Sequence, residues 1–203
     1  GKYDSIFLGN QGDEEDRLQA LSGAIAEVYA TVFGPEPIEY RRERDLLDYD
    51  ESMGILIQKV VGRKVGKYFL PLYAGVGFSR NDVRWSKRIR REDGMLRVVF
   101  GMGTRAVDRV GQDYPRLIPM TSPTLRPEVG AQDILYYSQK MVDAVDLEGN
   151  RFVHLKKDEV FASGPIPGLQ DVVSVITDGA LVRPVSRLID LDKPTVITFD
   201  GFV

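Results

Sequence analysis

Gly54-Ile55-Leu56-Ile57-Gln58-Lys59-Val60-Val61 is short, apolar and rich in β-branched residues, with one polar pair near its end. Branched side chains pack well on a pleated surface, so the run reads as a strand buried in a sheet. Exposed backbone at such a strand end can hydrogen-bond the edge of a planar base while apolar neighbours cover its faces. From local pattern alone, an ordinary strand with one polar interruption is the plainer reading.

After this strand, the glycine-flanked basic stretch 62–66 predicts a hairpin turn, and strands are expected over 68–79 and 96–100. The charged stretch 80–94 between them reads as a loop. Gly101-Met102-Gly103 breaks the strand before a helical turn over 104–110. Glycines at a strand-to-helix bend let backbone amides approach a phosphate, and a helix start favours an anion. Arg105 adds a charged donor there. Such bends are structural more often than they bind phosphate. This one matches neither the dinucleotide fingerprint nor the Walker lysine motif.

Before the opening stretch, residues 13–33 give the clearest helix, with Leu18, Leu21, Ile25, Val28, Tyr29 and Val32 recurring at helical spacing. Asp13 caps its start, Glu14, Glu15 and Asp16 suit the positive end of the dipole, and Gly34-Pro35 stops it. A second helix is expected over 37–47. Further on, Pro115, Pro119, Pro123 and Pro127 argue for an irregular connection. Strands are expected over 134–147 and 150–155 around a Gly149-Asn150 turn, then over 170–176 and 195–199, with a linker at 163–168 and a helix at 184–189. The class is α+β, a mixed sheet with flanking helices. Residues 1–110 form the central part of the domain, and 111–203 its continuation or a second small subdomain.

The chain has 203 residues, 43% apolar and 28% charged, with a formal net charge of −3. That balance excludes a global attraction to nucleic acid or an anionic membrane. With no cysteine there is no disulfide framework, thiolate metal site or cysteine nucleophile. A reducing, cytoplasmic setting fits. No apolar run reaches the length of a membrane span, and no basic-then-apolar leader opens the chain. Both ends read as cuts from a longer protein. The one histidine, His154, reads as a strand-edge residue rather than a general base. Arg84, Lys87, Arg88, Arg90 and Arg91 surround Trp85, but Glu92 and Asp93 follow at once, so a solvated or phosphate-covering loop is expected rather than a nucleic-acid site. Among the carboxylates Asp4, Asp45, Asp48, Asp93, Asp108 and Asp133, no spacing marks an acid–base couple. Asp108 with Arg105 and Arg109 forms a helical charge cluster.

Four segments in order resemble the pyruvate phosphate dikinase and phosphoenolpyruvate synthase family. GKYDSIFLGNQG from Gly1, followed by the first helix and Tyr40-Arg41-Arg42, is similar to a "FAG-x-x-x-S-x-L" stretch before a helix ending in "A-x-x-YR". MGILIQKVV (53–61) resembles "M-x-V-x-VQ-x-MV", GVGFSRN (75–81) resembles "GV-x-F-T/S-R-D/N-P", and FGMGT (100–104) resembles "YGLGE". The resemblance implies an ATP-grasp fold, here a partial domain. It also implies ATP held between two subdomains, with Mg2+, and phosphoryl transfer to a histidine on a separate domain of the parent chain, then to pyruvate by a third. By carry-over, Gln58, Lys59, Val60 and Val61 form the adenine hinge. Ser79 and Arg80 lie near the phosphates, with Gly101, Gly103, Thr104 and Arg105 at the bend. The chain departs from the pattern at Thr104, where the family has glutamate, at Ala106-Val107-Asp108-Arg109, which replace "G-x-V-x-PD", and at Asp82, which replaces proline. The implied "RSS…ED" and "D-x-E…Q-x-R-P" motifs fall before Gly1 and after Val203. The chain alone is therefore expected to transfer no phosphate and to bind ATP weakly at best. A non-catalytic nucleotide-sensing or assembly module is the alternative. No nucleic acid or membrane partner is expected.

Overall fold

The alternation of strand and helix signals resolves, in a computed structural model describing residues 3–107, 113–182, 189 and 193–203, into an α+β architecture with three separate sheets. In chain order the elements are α1 (Glu14–Ala30), α2 (Pro35–Arg42), β1 (Arg63–Val65), β2 (Tyr68–Leu70), β3 (Ala74–Phe78) and β4 (Met95–Val99). These are followed by α3 (Thr104–Val107), β5 (Arg116–Pro119), α4 (Ala131–Tyr136), β6 (Met141–Asp146), β7 (Arg151–Lys156) and α5 (Lys157–Ala162). The last are α6 (Leu169–Val172), β8 (Val173–Thr177), β9 (Ala180–Val182) and β10 (Thr195–Ile197). By packing, the chain divides into two units, 1–60 with 145–152, and 61–144 with 153–203.

The first unit holds α1, α2 and an extended stretch. Asp13 accepts from the Asp16 amide at 2.9 Å while the Asp16 carboxylate accepts from the Asp13 amide, a reciprocal cap that satisfies two orphan donors. The helix forms where expected, but its apolar stripe is only partly covered: Leu21, Ile25 and Val28 are half-buried, Leu18 and Tyr29 are exposed, and α1 buries no residue fully. A strand over 54–61 does not form. The segment pairs with no strand, and Leu56, Ile57 and Val61 are exposed, Val61 at 84%. Branched residues favour a pleat only when a neighbouring strand takes up their backbone groups, and none among the described residues does. Within this unit Phe7 stacks on Phe152, Gly9 donates to the Asn150 side chain at 3.0 Å, and Arg41 pairs with Glu51 at 3.0 Å.

The second unit carries the core, which includes Leu70, Phe100, Val142, Val160, Val172 and Phe199. Its four-stranded sheet runs β1-β2-β6-β7. The hairpin turn expected at 62–66 sits instead at Gly66-Lys67, because Arg63 to Val65 already pair with β2 and Gly66 takes the left-handed φ of +57°. Residues 68–79 form two strands rather than one. Pro71, which lacks a donor, separates β2 from β3, and the two join different sheets. In the second sheet, β4 pairs antiparallel with both β3 and β5. The proline-rich stretch thus contains an unexpected strand, tolerated because β5 is an edge and Pro119 ends it. In the third sheet β8 lies between β10 and β9, both antiparallel to it. The β6–β7 hairpin forms with its turn at Gly149-Asn150, but residues 131–136 are helix α4, not the start of the strand. Likewise Leu169–Val172 is a helical turn before β8. The helix expected at 184–189 falls, save for Ile189, outside the described residues, as do 108–110 of the turn after the glycine bend. Among the described residues no helix is long and apolar enough to cross a membrane.

The 80–94 segment is a loop, as its charge implied, and it is pinned at both ends. The wholly buried Asn81 donates its amide to the Arg91 carbonyl at 2.7 Å and accepts from the Val83 amide at 3.0 Å. Asp93 accepts from the Arg90 amide at 2.7 Å. That bond, and then one from the Thr121 hydroxyl, holds the Asp93 carboxyl below its ordinary range. A carboxylate depressed in the folded state contributes stability that is present above its unfolded pKa of about 4 and lost as pH falls through the folded value. Acidification below about pH 4 is therefore expected to speed hydrogen exchange at Asp93 and Gly94, and Asp93→Asn to speed it at neutral pH. Unchanged exchange in that variant would show the turn to be held by its backbone alone.

Candidate functional site

The glycine bend follows β4 and is fastened from both sides. Gln139, buried, accepts from the Phe100 amide at 2.8 Å and donates to the Phe100 carbonyl at 2.8 Å. The Met102 amide donates to the Asp143 carbonyl on β6 at 2.9 Å. Gly101 has φ +89°, and a Cβ there would stand 2.6 Å from Val142 Cγ1 and 2.7 Å from the Asp143 carbonyl oxygen. The fold itself requires that glycine. Gly103 differs. Its φ is ordinary, and an added Cβ would meet only the Ala74 Cβ, at 3.4 Å.

The helix that follows has four residues, too few for an appreciable macrodipole, so any anion at the bend is held by individual groups. The side chains of Thr104 and Arg105 turn inward. Asp143, 2% exposed, accepts from the Thr104 hydroxyl at 2.5 Å through Oδ2, and from Arg105 Nε at 2.6 Å through Oδ1. Arg105 Nη1 donates to Asp113 Oδ2 at 3.0 Å, and Asp113 also accepts the backbone amides of Lys140 and Met141. His154 on β7 sets Nδ1 2.7 Å from Asp143 Oδ1. A buried carboxylate, Asp143, and a half-buried one, Asp113, thus share one buried guanidinium. Such a cluster tolerates its desolvation only because nearly every lone pair is used.

The residues singled out from the sequence are distributed as follows. Gln58, Lys59 and Val60 belong to the first unit, Gln58 and Lys59 exposed on the unpaired stretch, while Val61 begins the second unit. Ser79 and Arg80 are exposed just past the end of β3. Gly101, Gly103, Thr104 and Arg105 are brought together in the second unit, with the Arg105 guanidinium committed to Asp113 and Asp143. The expected cluster of Asp108 and Arg109 lies outside the described residues. Sequence reasoning missed Gln139 and Asp143. The available signal for the latter was an acid inside the apolar run Met141-Val142-Asp143-Ala144-Val145, where an unpaired charge is not tolerated. Among the described residues no three His, Asp or Glu side chains stand as a metal-binding group.

A second concentration of charge lies where β5 meets the segment after β10. The buried Arg116 donates to the carbonyls of Leu117 (2.9 Å) and Pro123 (3.3 Å). Burial, and then repulsion from Arg126, pulls its guanidinium down to about 10. At neutral pH it remains charged. Arg126 donates to the Thr198 carbonyl at 2.8 Å and pairs with Asp200. These bonds are internal and tie the end of the chain to the core.

Compared with known proteins, residues 1–178 match the family model of the pyruvate phosphate dikinase AMP/ATP-binding domain. No curated protein and no solved structure matches the chain.

Proposed function

We propose a function from one premise: the chain belongs to the family of the pyruvate phosphate dikinase AMP/ATP-binding domain. As such it is the adenine-nucleotide-binding part of a dikinase-like phosphotransferase. The finer reading is that the parent protein moves a phosphoryl group from ATP to a histidine on another of its domains, and from there to pyruvate or a similar acceptor. Ser79 and Arg80, with Gly101, Gly103 and Thr104 at the bend, lie against the phosphates. Arg105 acts through Asp143 by holding the bend rather than by touching ligand. Phosphoryl transfer depends mainly on positioning and charge neutralisation, so a rigid glycine bend suits this work. Mg2+ accompanies the ATP phosphates and neutralises their charge in this reading.

Gly103 carries the reading. The fold leaves room for a side chain there, so the bare backbone of Gly103 gives a phosphate a close approach that packing does not require. Gly103→Ala is expected to leave the melting temperature within about 1–2 °C of the parent value, an effect below 0.5 kcal/mol. It should weaken ATP binding by about tenfold, a loss near 1.4 kcal/mol. Calorimetric titration with ATP checks this, and unchanged affinity would remove the bend from the site. Titrating the parent protein with ATP and magnesium and assaying for phosphohistidine tests the finer reading. Nucleotide binding without phosphohistidine would favour a sensing or assembly module, a reading supported by the Thr104 hydroxyl being bound to Asp143.

A further inference from the structure

We propose that the charged hollow beside β5 is a second small-molecule site, one that takes a neutral polar group able to donate and to accept at once, such as a primary amide. Its walls come from β5, α4 and the residues in and after β10. Gln139, which clamps Phe100 of the glycine bend, is one of them, so the hollow adjoins the bend without being part of it. Arg116 is buried there. Its Nη1 and Nη2 donate to carbonyls, while its Nε, shut off from solvent, has no acceptor among the described residues. Oε2 of Glu128 is equally shut off and accepts from no donor among them. One unmet donor and one unmet acceptor thus line the same space. A buried polar group without a partner is costly, and a fold keeps few of them.

The two do not satisfy each other, so a group that completes both must accept from Arg116 and donate to Glu128. The surrounding charges set its sign. Arg116 and Arg126 stand with Glu128 and Asp200, two positive charges against two negative. An ion would upset that balance, whereas an amide offers a carbonyl oxygen and an N–H without charge. About 10 Å3 is free inside, room for the polar end of a molecule and not for its body. The body has a place outside. Tyr114 and Tyr137 are exposed at the rim and set their rings edge to face at 5.2 Å, and aromatic faces cover flat or apolar groups well. Phe199, buried in the wall, holds a left-handed φ of +57°. A bulky residue rarely keeps that conformation, and such outliers gather at ligand sites.

Three probes of one shape test this: acetamide, acetate and acetamidinium, of which only the first both donates and accepts without charge. Each is titrated into the 15N-labelled chain and followed by NMR. Acetamide is expected to shift the Arg116 Nε–H signal, saturating in the millimolar range usual for so small a ligand. It should bind about tenfold more tightly than either charged probe. Glu128→Gln keeps the shape and removes the negative charge, so it should reverse the preference, acetate then binding about tenfold more tightly than acetamide, with the melting temperature unchanged. If acetamide leaves the Arg116 signal in place, the hollow holds water alone and the inference is overturned. An equal response to all three probes, or a preference that Glu128→Gln leaves as it was, overturns it too. The comparison in the parent chain decides the matter even where the variant is too unstable to measure. None of these results bears on the nucleotide-binding function, which titration with ATP tests separately.

Discussion

Asp143→Ala is expected to destabilise the protein by about 3–5 kcal/mol, because it removes one of the two carboxylates that compensate a buried guanidinium. For a domain of this size that lowers the melting temperature by on the order of 10 °C. The carboxylate accepts from Arg105, Thr104 and His154, and its own carbonyl accepts from the Met102 amide. Removing it leaves Arg105, 6% exposed, with Asp113 as its remaining ion-pair partner. The Thr104 hydroxyl loses its acceptor at the same time. The cost is that of a buried guanidinium left with one of its two carboxylates, not the net worth of the lost ion pair. That distinction has its own test: the triple variant Arg105→Met, Asp113→Asn and Asp143→Leu should be markedly more stable than Asp143→Ala, since the guanidinium and both carboxylates that face it are then removed together. Thermal and urea melts of the two variants decide the matter. A single variant within 1 kcal/mol of the parent would show that water reaches the cluster.

Gly101→Ala is expected to cost about 3 kcal/mol, from overpacking combined with a left-handed backbone. The new Cβ would lie 2.6 Å from Val142 Cγ1 and 2.7 Å from a backbone oxygen that cannot retreat without breaking β6. Because the strain bears on the core through Val142 as well as on the bend, stability and ATP affinity should fall together. Gly103→Ala two residues on should change affinity with little change in stability. The pair therefore separates a glycine needed for folding from one needed for binding. Equal losses of stability in both would mean that the bend has a single structural role.

How much of this was legible beforehand depends on the range of the interaction concerned. The cap at Asp13, the helix it starts, the strand at 95–99, the turn at Gly149-Asn150 and the charged loop at 80–94 are set by residues a few positions apart. The motif order that places the chain in its family is also a property of linear sequence. The failures share a cause. The run 54–61 was read as a buried strand from composition, yet a strand needs a partner edge, which no local pattern supplies. The stripe on α1 was correctly spaced, yet what covers a stripe lies elsewhere. Arg105 was read as a charged donor at the bend within a cluster of near neighbours, and the structure adds two carboxylates, 8 and 38 residues away, that engage its charge.

Linear sequence by itself determined the start of the first helix, the glycine bend and the family, because capping, backbone freedom and motif order are short-range or one-dimensional, whereas the second helix, expected at 37–47, runs Pro35–Arg42. Tertiary structure alone decided that Gly101 is a packing glycine while Gly103 is not, and that Asp143 gathers Thr104, Arg105 and His154 around one carboxylate. The physical reason is that burial and pairing of charge belong to groups meeting in space, and the 38 or 39 residues between these partners in the chain carry no trace of the meeting.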